Sequence, residues 1–160
     1  MGLLVKRVLL ASLACVAMQP AIADNHGKLV GTWKLVSYEM EVQATGAREA
    51  PLGANPSGYI LFTADGRLMV VLTGEGRKAA ASDQDRAELL KSLVAYTGLY
   101  RVEGGKWIAK VDVAHNPAWV GTEQARSFKL DGERLEESTA LMNRPDKGMV
   151  RWVLNWMRVK

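Results

Sequence analysis

Cysteine and histidine are almost missing from this chain: one cysteine, Cys15, and two histidines, His26 and His115, in 160 residues. Two isolated histidines, with no His-x-His, Cys or His-Glu spacing around them, cannot build a metal shell, so no metal site is expected. No cofactor is expected either, since "GEGRK" (74–78) lacks the length and the terminal Lys-Ser/Thr of a phosphate loop. Gly-x-Ser-x-Gly is also missing, and no serine has an evident His/Asp pair, which removes the usual grounds for nucleophilic catalysis. Charge of one sign is scarce too. Lys and Arg number 21 against 17 Asp and Glu, a formal net charge of +4, without the clustered basic face that nucleic acid requires. No apolar run reaches the ~20 residues of a membrane-spanning helix.

What is present begins with an export leader. Lys6 and Arg7 form a charged n-region, Val8 to Ala17 is a short apolar run, and Ala21-Ile22-Ala23 is a small-x-small cleavage site. Residues 1–23 therefore read as a signal peptide of bacterial type, with Asp24 first in the mature chain and the periplasm or the exterior as destination. The rival is a lipoprotein signal using Cys15, but Ser12 stands three residues before it where an aliphatic residue is expected. Removing 23 of the 160 residues leaves 137, the size of one domain over residues 24–160. The only cysteine leaves with the leader, so stability must come from packing and not from a disulfide. Losing Lys6 and Arg7 lowers the formal charge from +4 to +2.

The mature chain is punctuated by Gly and Asp-Gly between segments of alternating or β-branched residues. "GTWKLVSYEMEV" (31–42) reads as a first strand, and "SGYILFTADGRLMVVLT" (57–73) as a hairpin around Asp65-Gly66. "LYRVEGGKWIAKVDVAH" (99–115) turns at Gly104-Gly105, "TEQARSFKLDGERLEEST" (122–139) turns at Asp131-Gly132, and "MVRWVLNWMRV" (149–159) closes the set. Between the first two hairpins, Leu89, Leu90, Leu93, Val94 and Tyr96 recur at near-helical spacing. A helix over about 83–97 is predicted there, capped by Ser82 or Asp83 and ended by Gly98. One helix among antiparallel hairpins points to an all-β barrel or sandwich, and the lack of crossover helices excludes a parallel α/β sheet.

Alternation sorts each strand into two faces. A two-residue turn in the first hairpin would put Tyr59, Leu61, Leu68, Val70 and Leu72 on one apolar face. In the second, Trp107, Ala109, Val111, Val113 and His115 share a face. In the third, Phe128 and Leu130 share parity with Gln124 and Arg126, so a core-facing strand carries an amide and a guanidinium inward. A charge aimed at a core is costly unless it is paired or lies in a wet cavity. The closing strand sets Val150, Trp152, Leu154 and Trp156 on one face.

"LVGTWKLVSYE" (29–39), "GYILFTADGRL" (58–68), "AYTGLYRVEGGK" (95–106) and "NPAWVGTEQARSFKLDGERL" (116–135) together resemble the lipocalin-like domain family of small bacterial and fungal proteins. The resemblance covers nearly all of the mature chain and keeps the order of the blocks. It implies a closed antiparallel up-and-down β-barrel of about eight or more strands, able to hold one small ligand. It also implies two structural roles: Trp33 of Gly-x-Trp as a plug at the closed end, and Arg158 packed over it. Members often carry an aromatic or bulky residue just before the Asn-Pro corner, where this chain has His115.

The expected function is binding of a small hydrophobic or amphipathic molecule inside the barrel. Trp107, Val111, Trp152 and Trp156 would supply apolar wall, and Arg126, Gln124, His115 and Tyr59 the polar contacts. Arg126 with Gln124 suits an anionic head group; the bland alternatives are a salt bridge to Glu39, Glu41 or Glu123, or a strand turned the other way. For His115 the bland reading, a corner residue bonded to its loop, is the stronger one, and Trp119 reads as a staple of that corner. Tyr59, Tyr96 and Tyr100 offer hydroxyls to a ligand, but most such tyrosines are core residues with a satisfied hydroxyl. A second expectation is an isomerase, cyclase or hydratase acting on a lipophilic substrate, with His115 or Tyr59 as acid/base and Arg126 as electrostatic stabiliser. A third is an envelope protein with a filled barrel and an exposed apolar docking patch.

Overall fold

The computed structural model describes residues 25–160; the expected signal peptide with Cys15 lies outside them. A short helix α1 (Asn25–Leu29) leads into β1 (Gly31–Val42). The strands β2 (Arg48–Glu49), β3 (Ser57–Phe62) and β4 (Arg67–Thr73) follow, then helix α2 (Asp83–Lys91). After it come β5 (Leu93–Glu103), β6 (Lys106–Ala114), a single 3-10 turn (Pro117–Trp119) and β7 (Glu123–Asp131). The chain ends with β8 (Arg134–Ser138), β9 (Met142–Arg144) and β10 (Gly148–Arg158).

All neighbours in the sheet are antiparallel, in the order β2-β1-β3-β4-β5-β6-β7-β8-β10-β9, and β1 also pairs with β10. That last pairing, from Trp33 opposite Arg158 to Val42 opposite Val150, closes eight strands into a barrel; β2 and β9 are short ribbons added at its open end. Closure satisfies the backbone groups that an open sheet would leave at its edges.

The predicted helix is shorter than its apolar spacing suggested. It stops at Lys91, and Leu93, Val94 and Tyr96 begin β5 in register with Thr73, Leu72 and Val70 of β4. Helix α2 buries no side chain. The apolar residues that looked like its stripe gain more as a strand, where Tyr96 and Tyr100 enter the core. The start of the helix follows the sequence: Ser82 caps it and Asp85 reaches back to the Ser82 N–H, a reciprocal capping box.

The inward face of the first hairpin also differs from expectation. Its loop is Ala64–Gly66, one residue longer than a two-residue turn: Thr63 N–H donates to Arg67 O at 2.8 Å, Phe62 pairs with Leu68, and Gly66 sits at φ +85°. A three-residue loop with glycine in the left-handed region shifts strand parity by one. Ile60 and Phe62 therefore point in, while Leu61 turns outward and Tyr59 is 46% exposed. In β6 a bulge at Asp112 does the same, since Gly98 pairs with Val111 but Thr97 pairs with Val113. Val113 is consequently 63% exposed instead of joining the inward row. Opposite the bulge, β5 and β6 approach so closely that a Cβ on Gly98 would lie 2.0 Å from Lys110 O.

One end of the barrel is packed solid by Leu29, Trp33, Phe62, Leu68, Tyr100, Trp107, Leu135 and Trp156. Helix α1 covers that end, and Trp33 Nε1 donates to Leu29 O at 2.8 Å. The Arg158 guanidinium carbon lies 4.0 Å from the centre of the Trp33 ring. Its nitrogens donate to Val30 O at 2.8 Å and Lys28 O at 2.5 Å, tying the last strand to α1 and the start of the first.

Candidate functional site

The other half of the barrel is not filled. A cleft of about 580 Å³ opens there, within the range that encloses a small organic molecule. Val70 and Leu72 of β4, Val94 of β5 and Leu154 of β10 give it an aliphatic wall. Tyr38 of β1 and Trp152 of β10 stack at 5.3 Å between ring centres and form an aromatic wall. Trp119 and the chain at Thr139–Met142 stand at the mouth.

Polar groups enter from β7 and β8. The alternation along β7 leaves Gln124, Arg126, Phe128 and Leu130 half-buried and their neighbours exposed, so Gln124 and Arg126 face the cleft. The Arg126 guanidinium donates to Ala125 O at 2.9 Å and to Gln124 Oε1 at 3.4 and 3.5 Å, and its centre lies 5.6 Å from the Trp107 ring. Among the described residues no carboxylate forms an ion pair with it. The acids that could have neutralised it are engaged elsewhere: Glu39 with Arg48, Glu41 with Arg48 and Arg151, Glu123 with Arg101.

The buried acid of the cleft wall is Glu137, on β8, paired in register with Phe128 and Leu154; Glu123 also borders the cleft, but it lies on the exposed side of β7 and is paired with Arg101. It is 3% exposed and accepts a hydrogen bond from Trp107 Nε1 at 2.8 Å. Burial pushes its carboxyl up to about 7, against the pull of the Arg126 charge and of the Trp107 N–H. The Trp156 indole adds a weaker pull, its buried Nε1 meeting no described atom at hydrogen-bond geometry. Burial likewise raises the Tyr38 and Tyr96 phenols, opposed in both by Arg126. Both stay neutral hydroxyls near pH 7. Glu137 escaped the sequence reading, although its signal was present: Asp131 pairs with Arg134 across the tight turn, so Leu135 and Glu137 share the inward side with Leu130 and Phe128.

The other predicted residues separate. Trp152 lines the cleft, whereas Trp107 and Trp156 are wholly buried beneath it, Trp107 as the donor to Glu137. Val111 is buried core and does not line the cleft. Tyr59 lies on the outer face, for the parity reason above. His115 is not among the lining residues. Its backbone N–H donates to Ala95 O at 2.8 Å, its ring Nδ1 accepts from the Ala95 N–H at 3.1 Å, and the ring meets Trp119 edge-on at 5.0 Å. It is held as a corner residue, because the bulge at Asp112 alters the parity that would have carried it inward. Trp119 joins the corner to the cleft, with Tyr96 at 5.8 Å on its other side. Among the described residues, no three His, Cys, Asp or Glu side chains group to hold a metal, and no helix is long and apolar enough to cross a membrane.

Comparison with known proteins agrees with this architecture. A family model described as a lipocalin-like domain matches residues 30–159. No curated protein matches the chain.

Proposed function

The chain belongs to the lipocalin-like domain family, and on that premise we propose that it binds a small hydrophobic or amphipathic molecule in the open half of its barrel. The observation that carries this reading is the half-buried Arg126, without an ion-pair partner among the described residues, in the wall of an otherwise largely apolar cleft. The Tyr38–Trp152 stack and the aliphatic residues of β4 and β5 suit a flat or flexible apolar body. Arg126, Gln124 and the two neutral tyrosine hydroxyls suit a polar end. Native mass spectrometry of the purified protein, with dye displacement by extracted lipids, tests it. A co-purifying molecule of a few hundred daltons supports it; an empty protein that takes up no lipophilic dye sinks it.

Export completes the proposal. Residues 1–23 direct the protein to the periplasm or the exterior, cleaved after Ala23. The intact mass of the protein from the periplasmic fraction checks it: a chain beginning at Asp24 is expected, and a lipidated Cys15 would overturn the cleavage.

A catalytic reading has one supporting observation, the buried carboxyl of Glu137 in contact with the cleft. In that reading Glu137 takes the acid/base role in place of His115, and Arg126 stabilises developing negative charge. Loss of turnover of an identified ligand in Glu137→Gln, with binding retained, would separate it from simple binding.

A further inference from the structure

We propose that the ligand of this cleft is a monoanion and that the protein captures it together with one proton, taken up on Glu137. The inference rests on the binding role proposed above and names the charge of the ligand and the control of its release. Two opposite charges face one cleft here without forming an ion pair with each other. Arg126 has guanidinium hydrogens to spare beyond Ala125 O and Gln124 Oε1. Glu137 has one neutral indole donor at hydrogen-bond distance, Trp107 Nε1, and almost no solvent. An anion beside Arg126 removes the main pull that favours ionised Glu137, and it adds a like charge nearby. Both effects move a proton onto the carboxyl.

Among the described residues no other titratable group facing Glu137 competes for this role: Glu123, which also borders the cleft, lies on the exposed side of β7 and is paired with Arg101. Arg126 approaches from β7, Tyr38 from β1 and Tyr96 from β5, and the two phenols are held neutral by burial. From β6 and β10 come the indoles of Trp107, Trp152 and Trp156, none of which titrates, and the inward rows of β3 and β4 are apolar. The carboxyl without ligand sits at about 7. Below that pH Glu137 already carries its proton and the anion binds at full strength. Above it, capture must first protonate a carboxylate, so affinity falls with a limiting slope of about tenfold per pH unit. A cation would show the opposite trend, binding ionised Glu137 more tightly as pH rises.

Two probes separate the head group from the cleft. 1-Anilinonaphthalene-8-sulfonate is permanently anionic, and N-phenyl-1-naphthylamine is the same fluorophore without the sulfonate. Titrated between pH 5.5 and 8.5, the sulfonate is expected to lose at least about tenfold in affinity across the range, while the uncharged probe stays level. In Glu137→Gln the sulfonate should bind tightly with no pH dependence, and in Arg126→Gln it should weaken by at least about tenfold while the uncharged probe is unchanged. Calorimetry of the unaltered protein near pH 7, in two buffers of different ionisation enthalpy, should record proton uptake with the sulfonate. A level sulfonate profile, no proton uptake, or a slope that survives in Glu137→Gln overturns the proposal. If the uncharged probe binds and the sulfonate does not, the anion inference fails and the binding role stands; if neither binds, the binding role itself fails.

Discussion

Arg126 is accommodated in a half-buried position because the cleft beside it stays open to water or to a ligand, and because the Trp107 face below accepts the guanidinium. Removing that charge should cost an anionic ligand about 1.5–3 kcal/mol, the range for hydrogen bonds to a charged partner, with little change in stability. Arg126→Gln assayed by ligand titration beside a urea melt checks both halves. Glu137 works against the fold. Its folded carboxyl lies near 7, above its ordinary value of 4.5, so between these values the native state holds a proton that the unfolded chain has released. Stability conferred by that proton is complete below about 4.5 and lost as pH rises through 7. Glu137→Gln should therefore be the more stable protein at pH 8, by as much as roughly 3 kcal/mol, and indistinguishable at pH 4; urea titrations at the two pH values decide. At the closed end Arg158 joins a ring face and two carbonyls. Arg158→Gln should lower unfolding free energy by about 1–3 kcal/mol without altering ligand binding, which lies at the opposite end of the barrel.

Strands of this chain announce themselves through alternation and glycine punctuation, and the limits of β1, β3, β4 and β10 fall within a residue or two of the sequence reading. The inward side of each strand was harder to read, because it depends on where single residues are inserted. One extra residue in the Ala64–Gly66 loop exchanged Tyr59 for Ile60, and one at Asp112 turned Val113 outward. Where the turn is tight, at Asp131–Arg134, parity carries through undisturbed and places both Arg126 and Glu137 in the cleft. The β5–β6 approach beside the bulge leaves no room at Gly98, so Gly98→Val should destabilise the barrel by about 3 kcal/mol or more. Thermal unfolding of the variant tests it. Helix α2, which buries nothing, should behave in the opposite way. Ser82→Ala removes its cap and about 1 kcal/mol of local helix stability. Amide exchange across 83–91 should quicken while the midpoint of global unfolding hardly moves.

At the scale of the whole molecule, stability resides in closure and packing. Residues 25–160 contain no cysteine, so no disulfide among them contributes. The β1–β10 pairing is the seam of the barrel, and Trp33, opposite Arg158 at its start, joins the first strand to the last. Strand segments, a helix start at Ser82 or Asp83, the scarcity of metal-binding side chains and the inward parity of β7 are all legible in the amino-acid sequence. These follow from local chemistry: alternation, turn residues, and the types of side chain present. Folding the strands into the barrel is what places His115 in the corner, Trp107 beneath the cleft, and Glu137 and Arg126 in one wall. Those outcomes depend on bulges, loop lengths and cross-barrel neighbours, which sum small insertions over the whole chain before any two side chains meet.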